Sequence, residues 1–174
     1  MCGIIGFTGN LQAPGILVDG LQQLEYRGYD SAGIAVNNGS ETKIVKTTGK
    51  VATLREKVEA TADLAGTCGI GHTRWATHGG VTEVNAHPHV SGNVTLIHNG
   101  IIENYKELAA SLKTKGFTAI SETDTEVAAM LIDSLYDGDP FAALKEADQM
   151  LEGAYGFCVM FKDHPGEIYC MRNA

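Results

Sequence analysis

Asn37-Asn38-Gly39 separates two runs, residues 32–37 and 42–47, whose β-branched and alternating side chains read as strands. An Asn/Gly turn between two such runs is a hairpin signal. A hairpin commits its strands to antiparallel pairing, because a parallel pair needs a crossover of a dozen or more residues. Residues 3–8, 67–73 and 93–98 read as further strands. A closing pair, 154–161 and 167–171, flanks Lys162-Asp163-His164-Pro165-Gly166. Strands outnumber helices and several lie next to one another in sequence. The expected class is therefore α+β, with largely antiparallel sheets covered by helices rather than an alternating parallel fold.

The helices are expected at five places. Pro14 opens the first, over 14–24, with Ile16, Leu17, Gly20, Leu21 and Leu24 on one face. The segment 27–30 breaks it. Residues 51–61 carry Leu54 and Val58 at i, i+4. Residues 103–115 end at Gly116, which occupies the position that commonly terminates helices. Thr123-Asp124-Thr125-Glu126 reads as a helix start continuing through 127–136, until Asp137-Gly138-Asp139-Pro140 stops it. The last helix spans 141–151.

The length of 174 residues suits one domain, 1–174, able to bury a core. Thirteen Lys and Arg against 21 Asp and Glu give a net charge of −8 with no basic cluster, which argues against nucleic acid or an anionic membrane as partner. No apolar run reaches the length of a membrane helix and the N-terminus does not read as a signal peptide, so a cytoplasmic location is expected. Cys68, Cys158 and Cys170 sit in apolar, strand-like text and read as core thiols. None of the four cysteines forms a CxxC pair.

Cys2 is different. Removal of an initiator Met is favoured when the next side chain is small. Cys2 would then carry a thiol and a free α-amine on one residue, a nucleophile with its own general base. The reference pKa values, about 7.7–8.0 for the amine and about 8.5 for the thiol, let either proton move near neutral pH. The plainer reading is a small residue opening a strand.

Four polar, glycine-rich segments stand beside it at element ends: 24–33, 71–80, His98-Asn99-Gly100 and Ser121-Glu122-Thr123-Asp124. Each has a use if the substrate is an amino acid amide. Arg74 can grip an α-carboxylate with its planar fork, and Thr77 and His78 can add donors. Asp124 can pair with an α-ammonium. The Asn99 amide and the Gly100 N–H can face an oxyanion. Taken singly, Arg74 could pair with a surface carboxylate, Asn99-Gly100 could be a hairpin turn, and Asp124 could be a helix N-terminal charge. His87-Pro88-His89, with His72, His78 and His98, lacks the spacing of metal ligands, so neither metal nor cofactor is expected. Trp75 reads as packing or lid.

The segments 1–6, 24–33, 71–80, 85–89, 98–104 and 121–126, in this order along essentially the whole chain, resemble the glutaminase domain of the glutamine–fructose-6-phosphate aminotransferase family. These are class II, N-terminal-nucleophile glutamine amidotransferases. The Glu-Tyr-Arg-Gly-Tyr-Asp-Ser-Ala-Gly and Thr-Arg-Trp-Ala-Thr-His-Gly stretches resemble this branch more than those making phosphoribosylamine, asparagine or glutamate. The resemblance implies a four-layer αββα sandwich and hydrolysis of L-glutamine to glutamate and ammonia. It implies Cys2 as nucleophile with its freed α-amine as base, and Asn99 and Gly100 as oxyanion hole. Arg74, Thr77 and His78 would hold the glutamine carboxylate, Asp124 its ammonium. A loop from Arg74 onward would close over the substrate, with Arg27 near the nucleophile. The chain is expected to end before the last strands of such a domain and to lack a sugar-phosphate isomerase domain. An exposed sheet edge favours pairing as a homodimer. Two other readings stand beside this one: a catalytically silent glutamine-binding or interaction module that retains Met1, and the glutaminase domain of another class II amidotransferase.

Overall fold

The computed structural model describes residues 2–77 and 79–173. Alternation of side chains across extended backbone divides each strand into two faces, and here both faces of the strands at 31–37 and 68–74 are buried. One sheet is built from β1 (Gly3–Thr8), β2 (Ser31–Asn37), β3 (Thr42–Thr48) and β4 (Cys68–Arg74), in the order β1-β4-β2-β3. The other comprises β5 (His89–Ser91), β6 (Val94–Ile102), β7 (Gly153–Phe161) and β8 (Tyr169–Asn173), in chain order. All the strand pairs are antiparallel.

Against the first sheet lie α1 (Ala13–Leu24) and α2 (Val51–Ala60), where Leu17, Leu21 and Leu54 pack on Ile34, Val36 and Val45. Against the second lie α3 (Tyr105–Thr114), α4 (Asp124–Leu135) and α5 (Pro140–Met150), with Leu112, Leu131 and Leu144 on Val94, Leu96, Phe157 and Phe161. Between the sheets sits a third core of Ala35, Cys68, Ile70, Ile97 and Met160. The molecule is thus an α+β, four-layer αββα sandwich, as the resemblance implied.

Four local differences from the sequence reading have physical causes. The strand expected over 93–98 runs on to Ile102, because Asn99 and Gly100 pair with Gly156 and Tyr155 of β7 instead of turning. Tertiary pairing overrides the turn propensity of Asn-Gly. The helix expected from residue 103 starts at Tyr105, because residues 101 and 102 are still strand. Three-residue β5, directly after Pro88, is too short to show a period. The last strand is Tyr169–Asn173, shifted from 167–171 by pairing with β7.

Candidate active site at the polar end of the sheet interface

The inter-sheet layer changes character along its length. On β4 the positions facing the other sheet run Cys68, Ile70, His72, Arg74; on β6 Ile97 is followed by Asn99. The interface is therefore apolar at one end and polar at the other, although all these positions are deeply shielded except Asn99. Cys2 precedes β1, whose Gly3 pairs with Thr73, and so arrives at the level of Arg74. Gly3 N also donates to Thr73 Oγ1 at 3.1 Å.

The half-buried Cys2 thiol accepts a hydrogen bond from Trp75 N at 3.2 Å and lies 3.6 Å from Trp75 O. Burial pushes its pKa up, the Trp75 N–H and Arg74 pull it back, and Asp30 adds to the rise. The Cys2 carbonyl accepts from Asn99 Nδ2 at 3.0 Å and from Arg27 Nε at 3.3 Å.

His72 decides how Asn99 is turned. Its Nε2 lies 2.9 Å from the His98 carbonyl and 3.1 Å from Asn99 Oδ1. A carbonyl can only accept, so Nε2 carries the hydrogen and the Asn99 atom facing it is the oxygen. The Asn99 NH₂ is therefore directed at the Cys2 carbonyl, which again only accepts. His72 is fully buried and its pKa is lowered to about 3, chiefly by desolvation, so the ring is neutral. Its Nδ1 has no hydrogen-bond partner among the described residues.

Behind it, His87 stacks on His72 with ring centroids 4.0 Å apart. Thr125 Oγ1 sits 2.9 Å from both His87 Nε2 and His98 Nδ1. His89 Nε2 lies 3.1 Å from Thr123 Oγ1. Burial lowers the pKa of His87 strongly and that of His89 to about 3. Among the described residues no group of three or more His, Cys, Asp or Glu side chains is placed to hold a metal ion.

Arg74 is buried and donates from Nη1 to Gly80 O at 3.0 Å and from Nη2 to Gly79 O at 3.5 Å. It thus anchors the far end of the segment 75–80. The near end is held by Asp30, whose carboxylate accepts from Ala76 N. Glu122 Oε2 accepts from Gly80 N at 3.0 Å and from Asn85 Nδ2 at 2.9 Å, and Asn85 Nδ2 also reaches Gly80 O at 3.0 Å. Gly28 passes so close to this segment that a Cβ there would lie 2.7 Å from Arg74 C and 2.9 Å from Trp75 N. Only glycine fits.

Asp124 opens α4, nearly fully buried. Its Oδ2 accepts from Ile102 N at 2.9 Å, while Oδ1 is 3.9 Å from His98 Nδ1. Gly100 has a φ of +128°, and a Cβ would meet Ala154 O at 2.1 Å. Trp75 and Thr77 are exposed, and the Trp75 ring meets Tyr29 edge-on at 5.8 Å. His78 and Met1 lie outside the described residues.

Two cavities meet at Cys2, Trp75, Thr77 and Gly100. One, of about 30 Å³, is bounded by Arg74, Asp124, His87 and His98. The other, of about 650 Å³, is bounded by Arg27, Asn99, Tyr155 and Arg172. The structure thus gathers Cys2, Arg27, Arg74, Trp75, Thr77, Asn99, Gly100 and Asp124. Sequence reasoning gave no role to Asp30, His72, Asn85, Glu122 and Thr125, which fasten these groups. For His72 the signal was available: it continues the inward-facing period of Cys68 and Ile70.

A model of the glutamine amidotransferase domain family matches residues 72–174. The glutamine–fructose-6-phosphate aminotransferase (isomerizing) of a Thermus thermophilus strain is 53% identical over 175 residues, 99% of this chain and 29% of its own length. That of Idiomarina loihiensis is 50% identical over 177 residues, with the same coverage. Among solved structures, the glutamine phosphoribosylpyrophosphate amidotransferase from B. subtilis, complexed with ADP and GMP, matches with a TM-score of 0.79 and 30% identity. It covers 93% of this chain and 35% of that one. The chain spans under a third of the length of the curated relatives it matches. With more than half of its residues matched by the family model and the sandwich shared with a solved amidotransferase, the chain belongs to the glutamine amidotransferase domain family.

Proposed function

We propose that this domain hydrolyses L-glutamine to glutamate and ammonia at Cys2. The observation that carries the reading is the convergence of the Cys2 thiol, the Asn99 amide, Arg74 and Asp124 on two cavities that meet at Cys2. With Met1 removed, the Cys2 α-amine takes the thiol proton as sulfur attacks the side-chain amide carbon. One Asn99 N–H is used on the Cys2 carbonyl; the other, with the Gly100 N–H, faces the developing oxyanion. The α-amine returns the proton to the departing nitrogen, ammonia leaves, and a thioester remains. Water then attacks the thioester, releasing glutamate and restoring the thiol.

The α-carboxylate pairs with Arg74, assisted by Thr77 and His78, and the α-ammonium with Asp124. A cavity of about 30 Å³ is far below the several hundred Å³ typical of small-molecule pockets. On binding, Arg74 exchanges the carbonyls of Gly79 and Gly80 for the substrate carboxylate. Arg27 and Trp75 hold the Cys2 backbone and thiol from either side. In the whole protein, a sugar-phosphate isomerase domain takes up the ammonia to make glucosamine 6-phosphate from fructose 6-phosphate. The setting is cytoplasmic, and two copies pair as a homodimer. Among the described residues no helix is long and apolar enough to cross a membrane.

Glutamate release from glutamine tests the proposal. Activity from the chain with Met1 removed, lost in Cys2→Ala, is expected. Equal release from Cys2→Ala, or none from the Met1-free chain, overturns it.

A further inference from the structure

Cys158 of β7 and Cys170 of β8 face each other directly across the ladder. Their sulfur atoms are 3.6 Å apart, with Cys170 exposed and Cys158 half-buried. Directly opposed residues in an antiparallel pair have Cα atoms about 4.5–5.5 Å apart, inside the window of roughly 4.4–6.8 Å that a disulfide tolerates. The other two cysteines have no such neighbour: Cys68 is buried against Met160 Sδ at 3.8 Å, and Cys2 Sγ is held by the Trp75 backbone.

We propose that Cys158 and Cys170 form an oxidisable cross-strand dithiol, a modification site that locks β8 onto β7 beside the larger cavity. Among the described residues β8 pairs with β7. Cys170 and Arg172 share one face of β8, and Arg172 and Asn173, opposite Gly156 and Tyr155, line the cavity that opens on Cys2.

The oxidant is a hydroperoxide. The exposed Cys170 sulfur attacks the peroxide oxygen, the O–O bond breaks, and the leaving oxygen departs protonated, as water when the oxidant is hydrogen peroxide. Cys170 becomes a sulfenic acid. Cys158 sulfur then attacks the Cys170 sulfur and expels the hydroxyl as water, so two thiols and one hydrogen peroxide give one disulfide and two waters. Burial and the adjacent Cys170 push the Cys158 thiol up to about 12. Cys170, the exposed sulfur, meets the oxidant first, and half-buried Cys158, opposite it on the ladder, is the resolving partner.

The full chain treated with hydrogen peroxide, then capped with a maleimide, tests this by intact mass and peptide mapping. The expected result is loss of two hydrogens, two fewer capped thiols and a linked Cys158–Cys170 peptide. Hydrogen exchange at Arg172 and Asn173 should slow on oxidation and recover with reductant. Cys2→Ala should oxidise in the same way, which separates this site from the proposed nucleophile. Cys158→Ser and Cys170→Ser should each abolish the linked peptide. Four capped thiols after peroxide, a linkage between chains, or over-oxidised Cys170 with Cys158 still free would overturn the proposal.

Discussion

The two ends of the inter-sheet layer are built by the same strands in the same register, yet they are held together differently. At one end Ile70, Ile97, Ala35, Cys68 and Met160 meet as an apolar core, where stability follows from area removed from water. At the other, His72, Arg74, Asn99, His87 and Cys2 meet as a hydrogen-bonded network, in which Nδ1 of His72 and of His87 find no partner among the described residues. Such a network holds most firmly where its members are satisfied. The comparison teaches a division of labour: the apolar end holds the sheets in register, and that register is what aims the polar end. Changes at the polar end should cost activity or acid tolerance, and changes at the apolar end should cost stability alone.

The largest effect should come from Cys2→Ala, which removes the proposed nucleophile. Glutamate release should fall at least ~10⁴-fold, while thermal unfolding stays where it was. A large loss of stability would show that Cys2 belongs with the apolar end.

Acid should break the polar end next. His72, His87 and His89 have folded pKa values depressed from 6.5, to about 3 for His72 and His89. Below pH 6.5 the unfolded chain takes up protons that the folded chain refuses. Stability from these groups is therefore complete above about pH 6.5 and lost as pH falls towards 3, at up to about 4 kcal/mol per pH unit if all three act together. Urea unfolding at a series of pH values reads this slope directly. A flat profile between pH 6.5 and 4 would contradict buried neutral rings.

His72→Ala should release the Asn99 amide and lower kcat by ~10²-fold or more, the cost of losing an oxyanion donor. KM should change little. His72→Gln, which can still donate to the His98 and Asn99 oxygens, should recover part of the rate. If both variants lose activity equally, His72 does no more than fill space. The smallest effect should come from Ile97→Val at the apolar end, costing about 0.5–1.5 kcal/mol of stability. Activity per folded molecule should be unchanged.

Much of the framework was legible because antiparallel hairpins announce themselves locally. Gly3–Thr8 was expected with its observed bounds, and the Asn37-Asn38-Gly39 turn joins β2 to β3. Asn99-Gly100 misled as a strand end, because its fate depends on Gly156 and Tyr155, fifty-odd residues away, and no local propensity encodes a partner so distant. The chemistry-bearing segments could be picked out as polar interruptions in apolar text. The fastenings could not. Nothing in sequence says that His72 would meet Asn99 across two sheets, that Asp30 would hold Ala76, or that Glu122 would hold Gly80. Those contacts are made by the packing of layers, and period-2 alternation gives only which face each residue takes.

The most direct test of the central claim is covalent. The chain with Met1 removed should be incubated with an electrophilic glutamine analogue, with and without excess glutamine, and its intact mass and modified residue determined. A single adduct on Cys2, suppressed by glutamine and faster than labelling of the exposed Cys170, is the result predicted for a glutamine site at the polar end. No adduct on Cys2, or labelling that glutamine does not slow, would contradict it.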